Sequence, residues 1–174
     1  MIKHGLIYDK PYYEKLKGSN YLTPSAEDIY RSVEIKNEVV TIDPHEKNLR
    51  KILNFGHTIG HAIEGYSLAN DENPLTHGEA IAIGFVCEAA LSINNSTLTT
   101  EELEDSSRYI LSLYPKYHIK KESYDTLLDL MKSDKKNEDG NILFSLLETT
   151  GKCAFNCRAT KADILSSLDY YNSL

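Results

Sequence analysis

The stretch Arg50-Lys-Ile-Leu-Asn54-Phe-Gly-His57-Thr-Ile-Gly-His61-Ala-Ile-Glu64 repeats polar side chains at steps of four, three, four and three residues. In one helix from about Leu49 to Gly65, those five polar side chains would share a single stripe. The opposite stripe is apolar and contains Ile52, Phe55, Ile59 and Ala62. We therefore predict a helix that buries its apolar stripe and presents groups suited to a metal ion and an anion.

An exposed polar helix face is the ordinary alternative, but the composition of this stretch argues against it. Gly56 and Gly60 lie inside the predicted helix, and each glycine costs roughly 1 kcal/mol relative to alanine there. Glycine at these positions is explained if a second backbone approaches the helix closely, because a larger side chain would prevent that approach. His57 and His61 are four residues apart and can chelate one ion, as in zinc proteases. The general-base glutamate of that protease pattern is replaced here by Thr58.

These residues closely resemble 3-dehydroquinate synthase, an enzyme family of the shikimate pathway. The resemblance runs in a consistent order from the first residue to about Gly151. The matching pieces are Ile2-Lys-His-Gly-Leu-Ile7, Ser32-Val-Glu-Ile-Lys36, Glu46, Leu49-Arg50, Leu53-Asn-Phe-Gly-His-Thr-Ile-Gly-His-Ala-Ile-Glu64, His77-Gly-Glu-Ala-Ile-Ala-Ile-Gly84 and Asp134-Lys-Lys-Asn137.

The resemblance implies a role for each matching position. His57 and His77 correspond to ligands of a catalytic zinc (or cobalt) ion, His61 to a proton-handling histidine beside it, and Glu46 to a proton acceptor. The resemblance indicates His57 and His77 as the metal ligands, whereas the i, i+4 spacing indicates His57 and His61. Both pairs therefore stay open. The positions that correspond to substrate-binding groups are Lys3, Lys36, Arg50, Leu53, Asn54 and one of Lys135 and Lys136.

Two departures from the family pattern bear on activity. The family's opening motif is Glu-Val-Ile-Lys, whose glutamate is the third zinc ligand, and Met1 stands here in the place of the valine. The NAD-binding domain of the family lies upstream of this motif. We therefore expect these 174 residues alone to be inactive and not to bind NAD. The second departure is a longer stretch between Glu64 and His77, which we interpret as a surface loop insertion.

Bulk properties limit the other functional classes. The chain has 174 residues, enough for one domain with a core. With 19 basic and 26 acidic residues the net charge is −7, so a general nucleic-acid surface is improbable. Cys87, Cys153 and Cys157 have no CxxC spacing, which argues against a disulfide framework or a zinc knot, and Cys87 is expected to be buried. No signal peptide or membrane span is evident, so a cytoplasmic protein is expected.

The remaining sequence predicts mainly helices. We predict a helix capped by Thr23 with Pro24 at its first position, running to about Thr41, and another from His77 to about Ile93. Thr99 and Glu102 form a capping box for a helix from 100 to about 113. Another helix is predicted over roughly 124–133, a hairpin from 141–147 and 153–157, and a final helix capped by Thr160.

The expected fold is therefore mainly α: a multi-helical domain with a small β-hairpin, as in the C-terminal domain of dehydroquinate synthase-like proteins. The sequence contains no Gly-x-Gly-x-x-Gly motif and no strand–helix alternation of the dinucleotide-binding kind. Residues 1–174 are interpreted as the C-terminal domain of a two-domain enzyme, with the NAD domain outside them.

The function implied for the intact enzyme is conversion of 3-deoxy-D-arabino-heptulosonate 7-phosphate to 3-dehydroquinate and phosphate, a carbon–oxygen lyase reaction. The expected partners are this phosphorylated sugar acid, the NAD domain and a second copy in a homodimer, with neither nucleic acid nor membrane. Alternatives are another sugar-phosphate cyclase, a metal-dependent alcohol dehydrogenase domain, or a non-catalytic domain that binds metal or phosphate or mediates oligomer contacts.

Overall fold

The computed structural model describes residues 1–20, 22–133 and 142–174, which form a helical domain with one antiparallel hairpin. Two short helices at the start are followed by a longer one, a 3-10 segment and five more helices, with the hairpin before the last. The elements in chain order are α1 (Ile2–Tyr8), α2 (Lys10–Lys17), α3 (Ala26–Ile42), the 3-10 segment (Leu49–Asn54), α4 (His57–Asn70), α5 (His77–Asn95), α6 (Thr100–Leu113), α7 (Tyr124–Lys132), β1 (Leu143–Thr149), β2 (Lys152–Arg158) and α8 (Lys161–Ser173).

Helix α5 is the centre of the core. Its residues from Ala80 to Gly84 are buried, as are most of the following ones to Ser92, because α4, α6, α8 and β1 all pack against it. A helix that is apolar on every side needs such an all-round environment. Cys87 is fully buried on this helix, as predicted. None of the described helices is both long and apolar enough to cross a membrane.

The single helix predicted from Leu49 to Gly65 is wrong. The chain forms the 3-10 segment to Asn54, breaks at Phe55 and Gly56, and starts α4 at His57. Gly56 has a φ of 79°, in the left-handed region that favours glycine. Helix α5 packs directly against this break, since a Cβ added at Gly84 would lie 1.9 Å from the Gly56 carbonyl oxygen. The five polar side chains therefore do not share one stripe of one helix.

Three further expectations need correction. Helix α3 is capped by Ser25, which forms a capping box with Asp28, so Thr23 and Pro24 precede the helix. Half of the stretch between Glu64 and His77 is helical, because α4 continues to Asn70 and leaves only residues 71–76 as a loop. Helices α1 and α2 were not predicted.

The other elements agree with the sequence interpretation. Helix α5 begins at His77, and the capping box of Thr99 and Glu102 starts α6. Thr160 caps α8, where Asp163 completes another capping box. The hairpin pairs Leu143 with Arg158 and Thr149 with Lys152 across a turn at Thr150 and Gly151. Position 141 of the predicted hairpin lies outside the described residues.

Candidate metal centre and anion pocket

Three histidines converge where helices α4 and α5 begin. His57 is the first residue of α4, His61 lies one turn later, and His77 is the first residue of α5. One nitrogen from each imidazole lies within 4.8 Å of the others, and the ring centroids are 5.3 to 5.8 Å apart. The two helices meet at these ends because Gly56, Gly60 and Gly84 let their backbones approach closely.

The donor set suits a borderline-soft divalent metal such as zinc or cobalt. Imidazole nitrogens bind zinc at about 2.0–2.1 Å, so two donors to one ion lie no more than about 4.2 Å apart. The observed span of up to 4.8 Å is slightly wider. In a tetrahedral zinc site two such donors lie roughly 3.4 Å apart, so a pair, or all three rings, can hold an ion once the donors move closer together by about an ångström or more. Both pairs suggested by the sequence remain geometrically feasible.

Two of the imidazoles are oriented by contacts to their Nδ1 atoms. His57 Nδ1 lies 2.9 Å from the Phe55 carbonyl oxygen, and His77 Nδ1 lies 3.0 Å from a carboxylate oxygen of Glu64. With Nδ1–H donating to these oxygens, each ring presents a neutral Nε2 lone pair. Metal-bound histidines are commonly held in this way.

A cationic cavity of about 460 Å³ lies beside the histidines. Its positive groups come from three separate elements: Lys3 from α1, Lys36 from α3 and Arg50 from the 3-10 segment. The complete lining is Met1, Lys3, His4, Lys36, Glu46, Arg50, Leu53 and Asn54. In a protein of net charge −7, three cationic side chains gathered in one cavity create a local positive potential suited to an anion.

Glu46 is held at the rim of this cavity by neighbouring side chains. The Asn54 amide donates to Glu46 Oε1 at 2.7 Å, and Arg50 Nε is 3.7 Å from Glu46 Oε2. Glu46 has a positive φ of 55°, which is uncommon for a residue other than glycine. Strain of this kind is often found where a side chain is aimed into a functional site.

Asp43 organises the loop that carries Glu46. Its carboxylate accepts hydrogen bonds from the backbone N–H groups of Lys47, Asn48 and Arg50, at 3.1, 2.7 and 3.1 Å. Partial burial opposes ionisation, but these backbone hydrogen bonds and the Arg50 charge outweigh it and lower the pKa of Asp43. The sequence interpretation did not identify Asp43, although an Asp-Pro pair directly after a helix is typical of such a turn.

Lys3 connects the cavity with the histidine cluster. It lines the anion cavity and also an adjoining cavity of about 270 Å³ whose wall includes His57, His77 and Tyr114. The Lys3 ammonium donates to the Leu53 carbonyl oxygen at 2.7 Å, which fixes the side chain between the two spaces. A ligand with an anionic group and several hydroxyls can therefore contact both regions at once.

His4 is a cavity residue that the sequence interpretation missed. Burial, followed by the positive charges of the Met1 amino group, Lys3 and Lys36, lowers the pKa of His4 to about 4. Its Nδ1 is 2.8 Å from the Ser32 hydroxyl oxygen. His4 is thus a neutral group at pH 7, able to exchange hydrogen bonds with a ligand but adding no charge.

The structure brings together all the candidate site residues that it describes. His57, His61 and His77 form the cluster, and the six candidates Lys3, Lys36, Glu46, Arg50, Leu53 and Asn54 all line the cavity. The remaining candidates, Lys135 and Lys136, lie outside the described residues. Arg50 and His57 are on different elements rather than two turns apart on one helix, so the spacing expected from a continuous helix does not apply.

The same fold occurs in two solved enzyme structures. One is 2-epi-5-epi-valiolone synthase from Streptomyces hygroscopicus with NAD+ and Zn2+ bound, with a TM-score of 0.76 and 24% identity over 99% of this chain and 49% of that chain. The other is 2-deoxy-scyllo-inosose synthase complexed with carbaglucose-6-phosphate, NAD+ and Co2+, with a TM-score of 0.69 and 23% identity over 97% and 49%. The chain thus has the fold of the C-terminal domain of sugar phosphate cyclases.

Sequence comparison narrows this class to one family. Residues 1–137 match the family described as 3-dehydroquinate synthase C-terminal. The 3-dehydroquinate synthase of Parabacteroides distasonis is 42% identical over 98% of this chain and 49% of its own length, and that of Streptococcus pyogenes is 38% identical over 87% and 43%. The chain belongs to the 3-dehydroquinate synthase C-terminal family. It spans about half the length of the curated relatives it matches.

Proposed function

We propose that this chain supplies the metal-binding and substrate-binding half of a 3-dehydroquinate synthase. The observation that carries the proposal is the placement of three cationic side chains and Glu46 in one cavity, which adjoins the cluster of His57, His61 and His77. The substrate of the intact enzyme would be 3-deoxy-D-arabino-heptulosonate 7-phosphate. It has a carboxylate at one end, a phosphate at the other and several hydroxyls between them, and therefore needs cationic groups for its anions and a polarising site for a hydroxyl.

The cationic residues would bind and orient the substrate. Lys36 and Arg50 approach the cavity from α3 and the 3-10 segment, so they can engage a phosphate or carboxylate from two directions. Arginine suits this role because its planar guanidinium matches an oxyanion with two parallel hydrogen bonds. Asn54 and Leu53 complete the wall, and Lys3 would contact the part of the substrate nearest the histidines.

His57 and His77 would hold the metal, leaving His61 to exchange protons beside it. The Nδ1 contacts of His57 and His77 support this division, because each ring then presents its other nitrogen as a neutral donor. A bound zinc or cobalt ion would lower the pKa of a substrate hydroxyl. NAD would accept a hydride from the substrate and later return it. In the two-domain organisation proposed here, a separate N-terminal domain would bind the NAD. Glu46 would accept a proton within the cavity, where Asn54 holds its carboxylate.

A chimeric enzyme tests this proposal. The amino-terminal half of the Parabacteroides distasonis enzyme, joined to this chain at the boundary of the match, is expected to form 3-dehydroquinate and phosphate from the heptulosonate phosphate with NAD and zinc. His57→Ala should abolish the reaction, whereas His118→Ala, at an exposed histidine outside the site, should leave it unchanged. The proposal would be wrong if a chimera that binds NAD and zinc formed no dehydroquinate. Turnover of glucose 6-phosphate instead would indicate another sugar-phosphate cyclase.

A further inference from the structure

Helix α4, which carries His57 and His61, begins without a side-chain cap of its own. Its N-cap is Gly56, which lacks a side chain. A larger residue is excluded, because a Cβ at Gly56 would lie 2.3 Å from the Phe85 ring and the backbone has a positive φ. Other helices of the chain show the usual solution, in which an N-cap threonine pairs with an acidic residue three positions later.

Glu88 on helix α5 provides the missing cap. One of its carboxylate oxygens accepts a hydrogen bond from the Gly56 N–H at 2.6 Å, and the other accepts one from the Ile59 N–H at 3.0 Å. These are the backbone groups at the N-cap and N3 positions, the same two donors that a capping box satisfies. A single side chain from another helix, 32 residues away in sequence, therefore replaces both members of the box.

The burial of Glu88 makes this arrangement structurally demanding. Its side chain is 0% exposed, and a buried carboxylate is tolerated only when its oxygens are well paired. The positive end of the α4 dipole adds to the two hydrogen bonds. Surface solubility does not require an acid at this buried position, and an apolar residue would leave the Gly56 and Ile59 N–H groups without this acceptor. The charge is therefore suited to fixing the first turn of α4.

His57 lies between the two backbone groups that Glu88 holds. The Gly56 N–H precedes it and the Ile59 N–H follows it, so the Cα–Cβ direction of His57 is set by the geometry at Glu88. His61 follows one turn later on the same helix. We propose that Glu88 is a positioning residue for His57, the metal-ligating histidine of α4. This inference rests on the proposed function, but it can be measured without metal.

Nuclear magnetic resonance of the metal-free 174-residue chain provides the first test. Glu88→Gln keeps the shape but turns one acceptor into an NH2 donor facing a backbone N–H. We expect the Gly56 and Ile59 amide protons to move upfield and the His57 imidazole nitrogens to shift. Glu88→Asp, which withdraws the carboxylate by one methylene, should produce the same His57 shift if Glu88→Gln gives no dispersed spectrum.

Ser92→Ala is the matched control. Ser92 is also fully buried on α5, where its hydroxyl donates to the Glu88 carbonyl oxygen and accepts from the Leu147 N–H. It should lower the melting temperature and leave the His57 resonances unchanged. Cobalt titration is the second readout: replacing Glu88 should weaken binding about ten- to a hundredfold, and Ser92→Ala less than about twofold.

Unchanged His57 resonances after replacement of Glu88, or an equal shift in Ser92→Ala, would overturn the inference. A wild-type chain that binds no cobalt would count against the proposed metal site instead. In that case, the metal-free resonances would still decide whether Glu88 positions His57.

Discussion

The Nδ1 atom of His77 lies 3.0 Å from a carboxylate oxygen of Glu64, which joins the first residue of α5 to the middle of α4. The His77 side chain is 58% exposed and that of Glu64 is 24% exposed. This contact therefore restrains an imidazole that solvent would otherwise leave mobile. A carboxylate behind a metal-binding histidine fixes the tautomer and makes the ring a stronger donor.

Replacing Glu64 should therefore weaken metal binding without removing a ligand. We expect Glu64→Gln to raise the dissociation constant for zinc or cobalt about ten- to a hundredfold, measured by calorimetry. Glu72→Gln, at an exposed position in the loop before His77, is the matched control and should have no effect. Equal affinities for wild type and Glu64→Gln would mean that Glu64 is not a partner of a metal ligand.

The cationic residues of the cavity should affect the substrate rather than the metal. In the chimeric enzyme, Arg50→Ala and Lys36→Ala should each lower kcat/KM by roughly ten- to a hundredfold or more, because each removes a charge-assisted hydrogen bond of about 1.5–3 kcal/mol. Zinc content should stay unchanged. Lys152→Ala, at an exposed lysine on β2, serves as the control. An unchanged kcat/KM in both cavity variants would place these residues outside the substrate site.

His4 should make the stability of the chain depend on pH. Its pKa of about 4 in the folded state is below the ordinary value of 6.5. The unfolded chain therefore binds more protons between these values, and stability is lost as the pH falls from about 6.5 to 4. At about 1.4 kcal/mol per pKa unit, the loss by pH 4 is roughly 3 kcal/mol. Urea titrations at several pH values give the free energy of unfolding as a function of pH. This free energy should fall less steeply with decreasing pH in His4→Gln than in wild type, whereas His118→Gln should keep the wild-type dependence.

Glu102 should be a strong determinant of stability far from the site. It caps α6 with Thr99 and accepts hydrogen bonds from the Thr149 hydroxyl and the Thr150 N–H in the hairpin turn. Burial alone would raise the pKa of Glu102, but these hydrogen bonds lower it to about 2. We expect Glu102→Ala to cost about 2–3 kcal/mol. Glu101→Ala, at the exposed neighbouring position, should cost much less in the same denaturant experiment.

Features specified by neighbouring residues were the ones that could be predicted. Thr99 and Thr160 each have an acidic residue three positions later, so both N-caps could be recognised from the sequence alone. Thr23 followed by Pro24 gave a similar signal but was displaced by Ser25 with Asp28, a capping box two residues further on. Local signals thus gave the correct element and missed its boundary by a few residues.

Features specified by distant residues could not be predicted. The continuous polar stripe from Arg50 to Glu64 favoured one helix, but the chain breaks at Gly56, where the backbone of Gly84 on α5 packs closely. Glu88 caps α4 from another helix, so no pattern near Gly56 reveals it. The cavity residues were named through a family resemblance. Their presence in one cavity depends on α1, α3 and the 3-10 segment packing together, which spacing alone does not specify.

The central claim is that His57 and His77 hold the metal while His61 stays outside its ligand set. Crystals of the chain soaked in zinc and measured at the zinc absorption edge test this most directly. We expect one anomalous peak about 2.0–2.1 Å from the Nε2 atoms of His57 and His77. The same peak should persist in His61→Ala and vanish in His77→Ala. A peak bonded to His57 and His61 that survives His77→Ala would show that His77 is not a ligand and identify the i, i+4 pair as the chelate.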